Sequence, residues 1–85
     1  MPLQKYKIVI EQVTQLTKWI EANCNEIMFV NLSTTDTVTV ANFPIPPQGF
    51  LSIDGNADEI DTTTYRVVQP TIGDCWVVRK VYVKK

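Results

Sequence analysis

The run CWVVRKVYV, Cys75–Val83, constrains this chain more than any other stretch. It is dense in β-formers and free of glycine and proline, which reads as a strand. Alternation puts Trp76, Val78 and Tyr82 on one face, with Lys80 the exception. Val77, Val81 and Val83 lie on the other, with Arg79 among them. A strand that is apolar on both faces either lies in the middle of a sheet or is buried by another chain. The protein around it must therefore be built mainly from strands.

The rest of the sequence supplies them. Glu26-Ile27-Met28-Phe29-Val30-Asn31-Leu32 is again apolar on both faces, as a central strand would be. Ser33-Thr34-Thr35-Asp36 is turn chemistry, and Thr37-Val38-Thr39-Val40 then alternates valine with threonine. This pattern predicts a hairpin between the two segments. Tyr65-Arg66-Val67-Val68-Gln69 is a further strand, closed by Pro70, with Ile72-Gly73-Asp74 as the next turn. Near the start, residues 6–10 read as extended. Residues 11–22 admit two readings: Val13, Leu16 and Ile20 fit a helical stripe, while Thr14, Thr17 and Trp19 suit strand–turn–strand, the favoured alternative.

The tract PIPPQGFLSIDGNADEIDTTTY, residues 44–65, is the most irregular. Pro44, Pro46 and Pro47 fix φ and remove amide donors, so this segment cannot be a central strand. Pro47-Gln48 fits the middle of a type I turn closed by Gly49. Phe50, Leu51 and Ile53 resume as a short strand. Asp54-Gly55-Asn56 turns again with residues that tolerate left-handed backbone, and Asp61 with Thr62, Thr63 and Thr64 offers side-chain oxygens to loop amides. Asp54, Asn56 and Asp58 imitate the first EF-hand ligand positions. However, Glu59 stands where that loop needs glycine and Tyr65 where it needs a bidentate glutamate, which excludes an EF-hand. A looser calcium site from Asp54, Asn56, Asp58 and Asp61 is a minor alternative to the turn reading.

Size and composition bound the function. At 9.7 kDa residues 1–85 form a single domain, and folding hides roughly 60–65% of the extended surface. That is a thin margin, of the kind that association commonly supplements. With 45% hydrophobic and 20% charged residues the composition is globular. The chain has no histidine, which removes the commonest general base and metal ligand. Cys24 and Cys75 form no C-x-x-C pair and read as buried small hydrophobes. Asp58, Glu59 and Asp61 read as an acidic loop rather than paired glycosidase carboxylates, and no catalytic constellation emerges. No cofactor is implied and no enzyme activity is expected. Nothing resembles a targeting segment or a membrane span, so synthesis in a cytosol is expected. Arg79 to Lys85 interleaves cations with aromatics as single-strand binders do, but a pI near 5.2 argues against nucleic acid.

No lysine or arginine falls between Lys18 and Arg66, an interval holding Glu21, Glu26, Asp36, Asp54, Asp58, Glu59 and Asp61. Either these charges interleave in space with the basic ends, or they make an acidic pole suited to head-to-tail docking.

The order NLSTTDTVTV, PIPPQGFLSIDGN, EIDTTTYRV and CWVVRKVYV resembles the small β-structured virion accessory proteins of tailed bacteriophages: head-decoration, head-fibre-base and tail accessory proteins. The likeness covers about two-thirds of the chain, from Glu26 to Val83, and contains no catalytic signature. It implies a structural virion component, made in the host cytoplasm, that contacts capsid, fibre or tail proteins, usually as a trimer or another symmetric homo-oligomer. The combined expectation is an all-β domain, a small sandwich or partly open barrel of about six or seven short strands, with one short helix as the alternative in the N-terminal third. Phe50, Trp76 and Tyr82 are the candidate contact residues, with Asp58, Glu59, Arg79 and Lys80 for polar docking. A carbohydrate- or cell-surface-binding module, such as a fibre-tip domain, is the alternative function.

Overall fold

The computed structural model describes residues 5–56 and 58–83. Lys84 and Lys85 of the basic tail lie outside them. The described residues form eight strands and no helix: β1 (Lys5–Gln12), β2 (Thr17–Glu21), β3 (Glu26–Asn31), β4 (Val38–Val40), β5 (Phe43–Ile45), β6 (Phe50–Ile53), β7 (Thr64–Val68) and β8 (Cys75–Val83). Residues 11–22 are thus strand–turn–strand. The strands make two four-stranded antiparallel sheets: a long sheet ordered β1-β8-β3-β6 and a short one ordered β2-β7-β4-β5. β8 runs between β1 and β3, the central position that its two apolar faces require.

The inner faces make one core. Ile27, Phe29, Cys75 and Val77 from the long sheet meet Ile20, Val38, Val40, Ile45 and Val67 from the short one, all nearly inaccessible. Tyr65 closes edge-to-face on Phe29 at 5.4 Å between centroids. Both cysteines are free and buried as expected, and burial alone raises the Cys75 thiol to about 11.

Strand pairing departs from the sequence expectation at β3 and β4. They form no hairpin: β3 pairs with β6 and β8, and β4 with β5 and β7. The connection crosses from one sheet to the other because Asn31, fully buried at the end of β3, anchors the bend. Its amide donates to the carbonyls of Asp36, Ile45 and Pro46 at 2.8, 3.1 and 3.2 Å, and its Oδ1 accepts from Ser33 N at 3.0 Å. The chain changes sheet at every connection between these strands except β4–β5. That hairpin turns on Ala41 (φ 50°) and Asn42 (φ 67°), the two left-handed residues of a type I′ turn.

Two further turns differ from expectation. Gly49 N does bond Pro46 O at 2.9 Å, but Gln48 has φ 61°, which makes the turn type II rather than type I. Gly55 does not adopt positive φ. It is required instead by close approach, since a Cβ there would collide with the Asn25 carbonyl oxygen. Pro44 sits on β5, an edge strand, in accord with its missing donor.

Gln69 and Asn25, also buried, pin other crossings. Gln69 donates to Val13 O and Gln15 O at 2.9 and 2.7 Å and accepts from Cys75 N at 2.9 Å. Asn25 donates to Asn56 O and Glu59 O at 3.1 and 2.6 Å and accepts from Tyr82 N at 2.8 Å. Through Asn25 the acidic loop is held against the basic end of β8.

Candidate functional site

Cross-strand register defines what each sheet shows to its surroundings, since directly opposed residues share a face. On the outer face of the long sheet, Gln12, Trp76, Val30 and Phe50 form one row. Ile10, Val78, Met28 and Ser52 form the next. Ile8, Lys80 and Glu26 follow, then Tyr6 with Tyr82. Phe50 and Ile10 are 64% and 62% exposed, while Met28, Val30, Trp76 and Val78 are half-buried by their neighbours. A shallow depression of about 150 Å³ crosses the face between Ile8, Val78, Lys80, Met28, Glu26 and Ser52. An apolar surface spanning four strands is unusual for a solvent-facing sheet.

Lys80 closes one end of this face. Its ammonium lies 4.4 Å from the centre of the Tyr6 ring and 5.0 Å from that of Tyr82, and the two rings meet edge-to-face at 6.1 Å. A hydrogen bond with Tyr82 holds the ammonium pKa above its usual value, although burial opposes this. The cation is thus seated on aromatic faces without losing its charge.

Of the residues expected from sequence to make contacts, Phe50, Trp76, Lys80 and Tyr82 fall together on this face. Arg79 does not. It points inward, paired with Glu11 at 2.8 Å, and its Nε and Nη2 donate to Glu21 O at 3.2 and 3.0 Å. It clasps the long sheet to the edge of the short one. Asp58 and Glu59 lie exposed on the β6–β7 loop, away from the strand rows. Sequence reasoning missed Tyr6, Ile8, Ile10, Met28 and Val30. The signal for them was the register, which no single strand reveals.

The carboxylates of the irregular tract serve their own loop. Asp54 accepts from Ser52 Oγ at 2.9 Å, Glu59 from Asn56 N at 3.3 Å, and Asp61 from Thr63 N at 2.8 Å and the Tyr65 hydroxyl at 2.6 Å. Burial pushes the Asp61 carboxyl up, but the bonds from Tyr65 and Thr63 outweigh this and leave it below the usual range. Among the described residues no three acidic or cysteine side chains group as metal ligands would.

A wider groove of about 590 Å³ opens between the edges of the two sheets, lined by Lys7, Val9, Glu11 and Arg79 on one side and residues 18–23 on the other. Trp19 flanks it and is 63% exposed. No helix among the described residues is long and apolar enough to cross a membrane. No protein-family model matches this chain, and no curated protein or solved structure is significantly similar to it.

Proposed function

We propose that this domain is a structural component that works by protein–protein contact through the outer face of its long sheet. In line with the virion accessory proteins it resembles, we place that role in a phage particle, in capsid decoration or cementing or in fibre or tail attachment. One observation carries the reading: Tyr6, Ile8, Ile10, Met28, Val30, Phe50, Trp76, Val78 and Tyr82 share one outward face, interrupted only by Gln12, Ser52, Glu26 and Lys80. Removing such a face from water stabilises a complex by about 25 cal/mol per Å² of apolar surface, and aromatic anchors beside a seated cation suit a specific interface. The reading assigns no catalytic step and no cofactor.

Co-sedimentation with the assembled virion tests it. The wild-type chain is expected in the pellet, and Met28→Lys, which sets a charge at the centre of the face, in the supernatant. Trp19→Ser, on the short sheet, should pellet like wild type. A wild-type chain that stays in the supernatant with every structural protein of the particle overturns the reading. A second reading, a carbohydrate-binding module, is favoured by the exposed Trp19 at the groove between the sheet edges. Glycan binding that Trp19→Ser abolishes would replace the first reading with this one.

A further inference from the structure

One edge of the long sheet, β1, is longer than the other three edges and carries no proline. β6, β2 and β5, the other edges, have four, five and three residues, and β5 contains Pro44. β1 has eight residues without proline, a length of about 27 Å at ~3.4 Å per residue. Such an edge is a template for another strand.

The hydrogen bonds show which of its peptide groups are available. On β8, Lys80 O accepts from Asn25 N at 3.0 Å and Tyr82 N donates to Asn25 Oδ1 at 2.8 Å, so even-numbered residues aim at the β3 side. Cys75 O accepts from Val13 N at 2.9 Å, so odd-numbered residues aim at the β1 side. In an antiparallel pair the opposed residues either exchange both bonds or none. Lys7, Val9 and Glu11, opposite Val81, Arg79 and Val77, therefore bond to β8. Tyr6, Ile8, Ile10 and Gln12 present their amides and carbonyls to the open edge.

We propose that β1 pairs antiparallel with β1 of a second copy of this chain about a two-fold axis at Val9. That register sets Ile8 opposite the partner's Ile10 and Tyr6 opposite the partner's Gln12. Each of these pairs exchanges both available bonds, giving roughly eight in all. On the inner face Lys7 comes opposite the partner's Glu11, twice by symmetry, at the close spacing of non-hydrogen-bonded pairs. Lys7 makes no ion pair among the described residues. Glu11 gives Oε1 to Arg79, and its side chain is 37% exposed, which leaves Oε2 for a second cation. A register shifted by two residues, centred on Ile8, would set Lys7 opposite valine, so the charges favour the Val9 axis. A one-residue shift would turn the apolar rows to opposite sides. In the proposed pairing they join into one face across eight strands, twice the surface proposed above for contact. The inference goes beyond that reading because it uses the edge rather than the face, and its test needs no other protein.

Sedimentation equilibrium of the full purified chain across the micromolar range is expected to show a mass of twice 9.7 kDa that dissociates on dilution. Lys7→Glu should weaken the dimer by at least roughly tenfold, because both cross-strand pairs become like-charged. An equimolar mixture of Lys7→Glu with Glu11→Lys should associate again, since both pairs are then complementary in the heterodimer. Ile10→Pro, which removes an amide unused within the monomer, should give a monomer with a wild-type circular dichroism spectrum. A wild-type chain that stays monomeric throughout overturns the inference, whatever it does with virions. A Lys7→Glu dimer of unchanged affinity overturns the register.

Discussion

Thr17, Glu21, Thr39, Thr64 and Arg66 make the outer face of the short sheet mostly polar, with Trp19 and Val68 among them. The long sheet carries Ile8, Ile10, Met28, Val30 and Val78 in the corresponding positions. The two sheets share one core, so burial within the domain cannot account for the difference. On the proposed reading, the more apolar of the two faces is the one that meets another protein.

The largest expected effect tests whether the sheets are alike on the inside. Asn31 belongs to β3 but bonds Ile45 O of the short sheet. Asn31→Leu would strand several buried carbonyls at once and should cost about 3–5 kcal/mol. In urea unfolding, both sheets should be lost in one transition of lower midpoint. Separate transitions would show that they are not one unit.

Exchanging the outer chemistry breaks the contrast directly. Ile10→Thr, Met28→Thr and Val78→Thr together should cost only about 1–2 kcal/mol, because these side chains are half-exposed or more. They should nonetheless abolish binding to partner proteins, read by co-sedimentation. Matching threonine substitutions at Trp19 and Val68 of the short sheet should leave binding intact.

The contrast does not extend to the end of the molecule, where Asp61 joins loop and sheet. Its carboxyl is held below the usual range in the folded protein, so its contribution is present above the unfolded carboxylate value and is lost as pH falls through the folded one. Asp61→Asn should lower stability by about 1 kcal/mol at neutral pH and flatten the acid limb of a melting-temperature profile. The alkaline limb is led by Cys75. With its thiol raised to about 11, and the Cys24 thiol and Tyr65 hydroxyl raised by burial as well, stability should decline above pH 9, where the unfolded thiol ionises, and Cys75→Ala should reduce that decline.

The smallest effect lies in the short sheet. Ala41 carries a left-handed φ in the β4–β5 turn, and Ala41→Gly should raise stability by about 0.5–1 kcal/mol in thermal melts. No comparable change is expected at the outer face of the long sheet, whose cost lies in exposure rather than strain.

Much was legible without coordinates, and the reason is local. A period of two with β-branched residues marks a strand wherever it occurs, so β3, β7 and β8 could be read from their own residues. β8 could even be placed centrally, because both of its faces are apolar. Proline and the Asp61-threonine cluster act on their immediate backbone, which made the edge position of Pro44 and the lead into β7 readable. Pairing was not legible. The alternating Val38-Thr39-Val40 beside β3 fits a hairpin as well as a crossing, and the choice rests on three carbonyls that reach Asn31 from residues 36, 45 and 46. Arg79 looked like a docking cation because its sequence cannot show that Glu11 and the Glu21 carbonyl converge on it.

The residues alone determined that this protein is a stack of short, apolar-rich strands with buried thiols. Tertiary structure decided which strands adjoin, and so which apolar residues go into the core and which gather on an outward face. Strand formation depends on a few adjacent side chains. A face is made by register between strands far apart in the chain, and buried amides reaching across those distances set it.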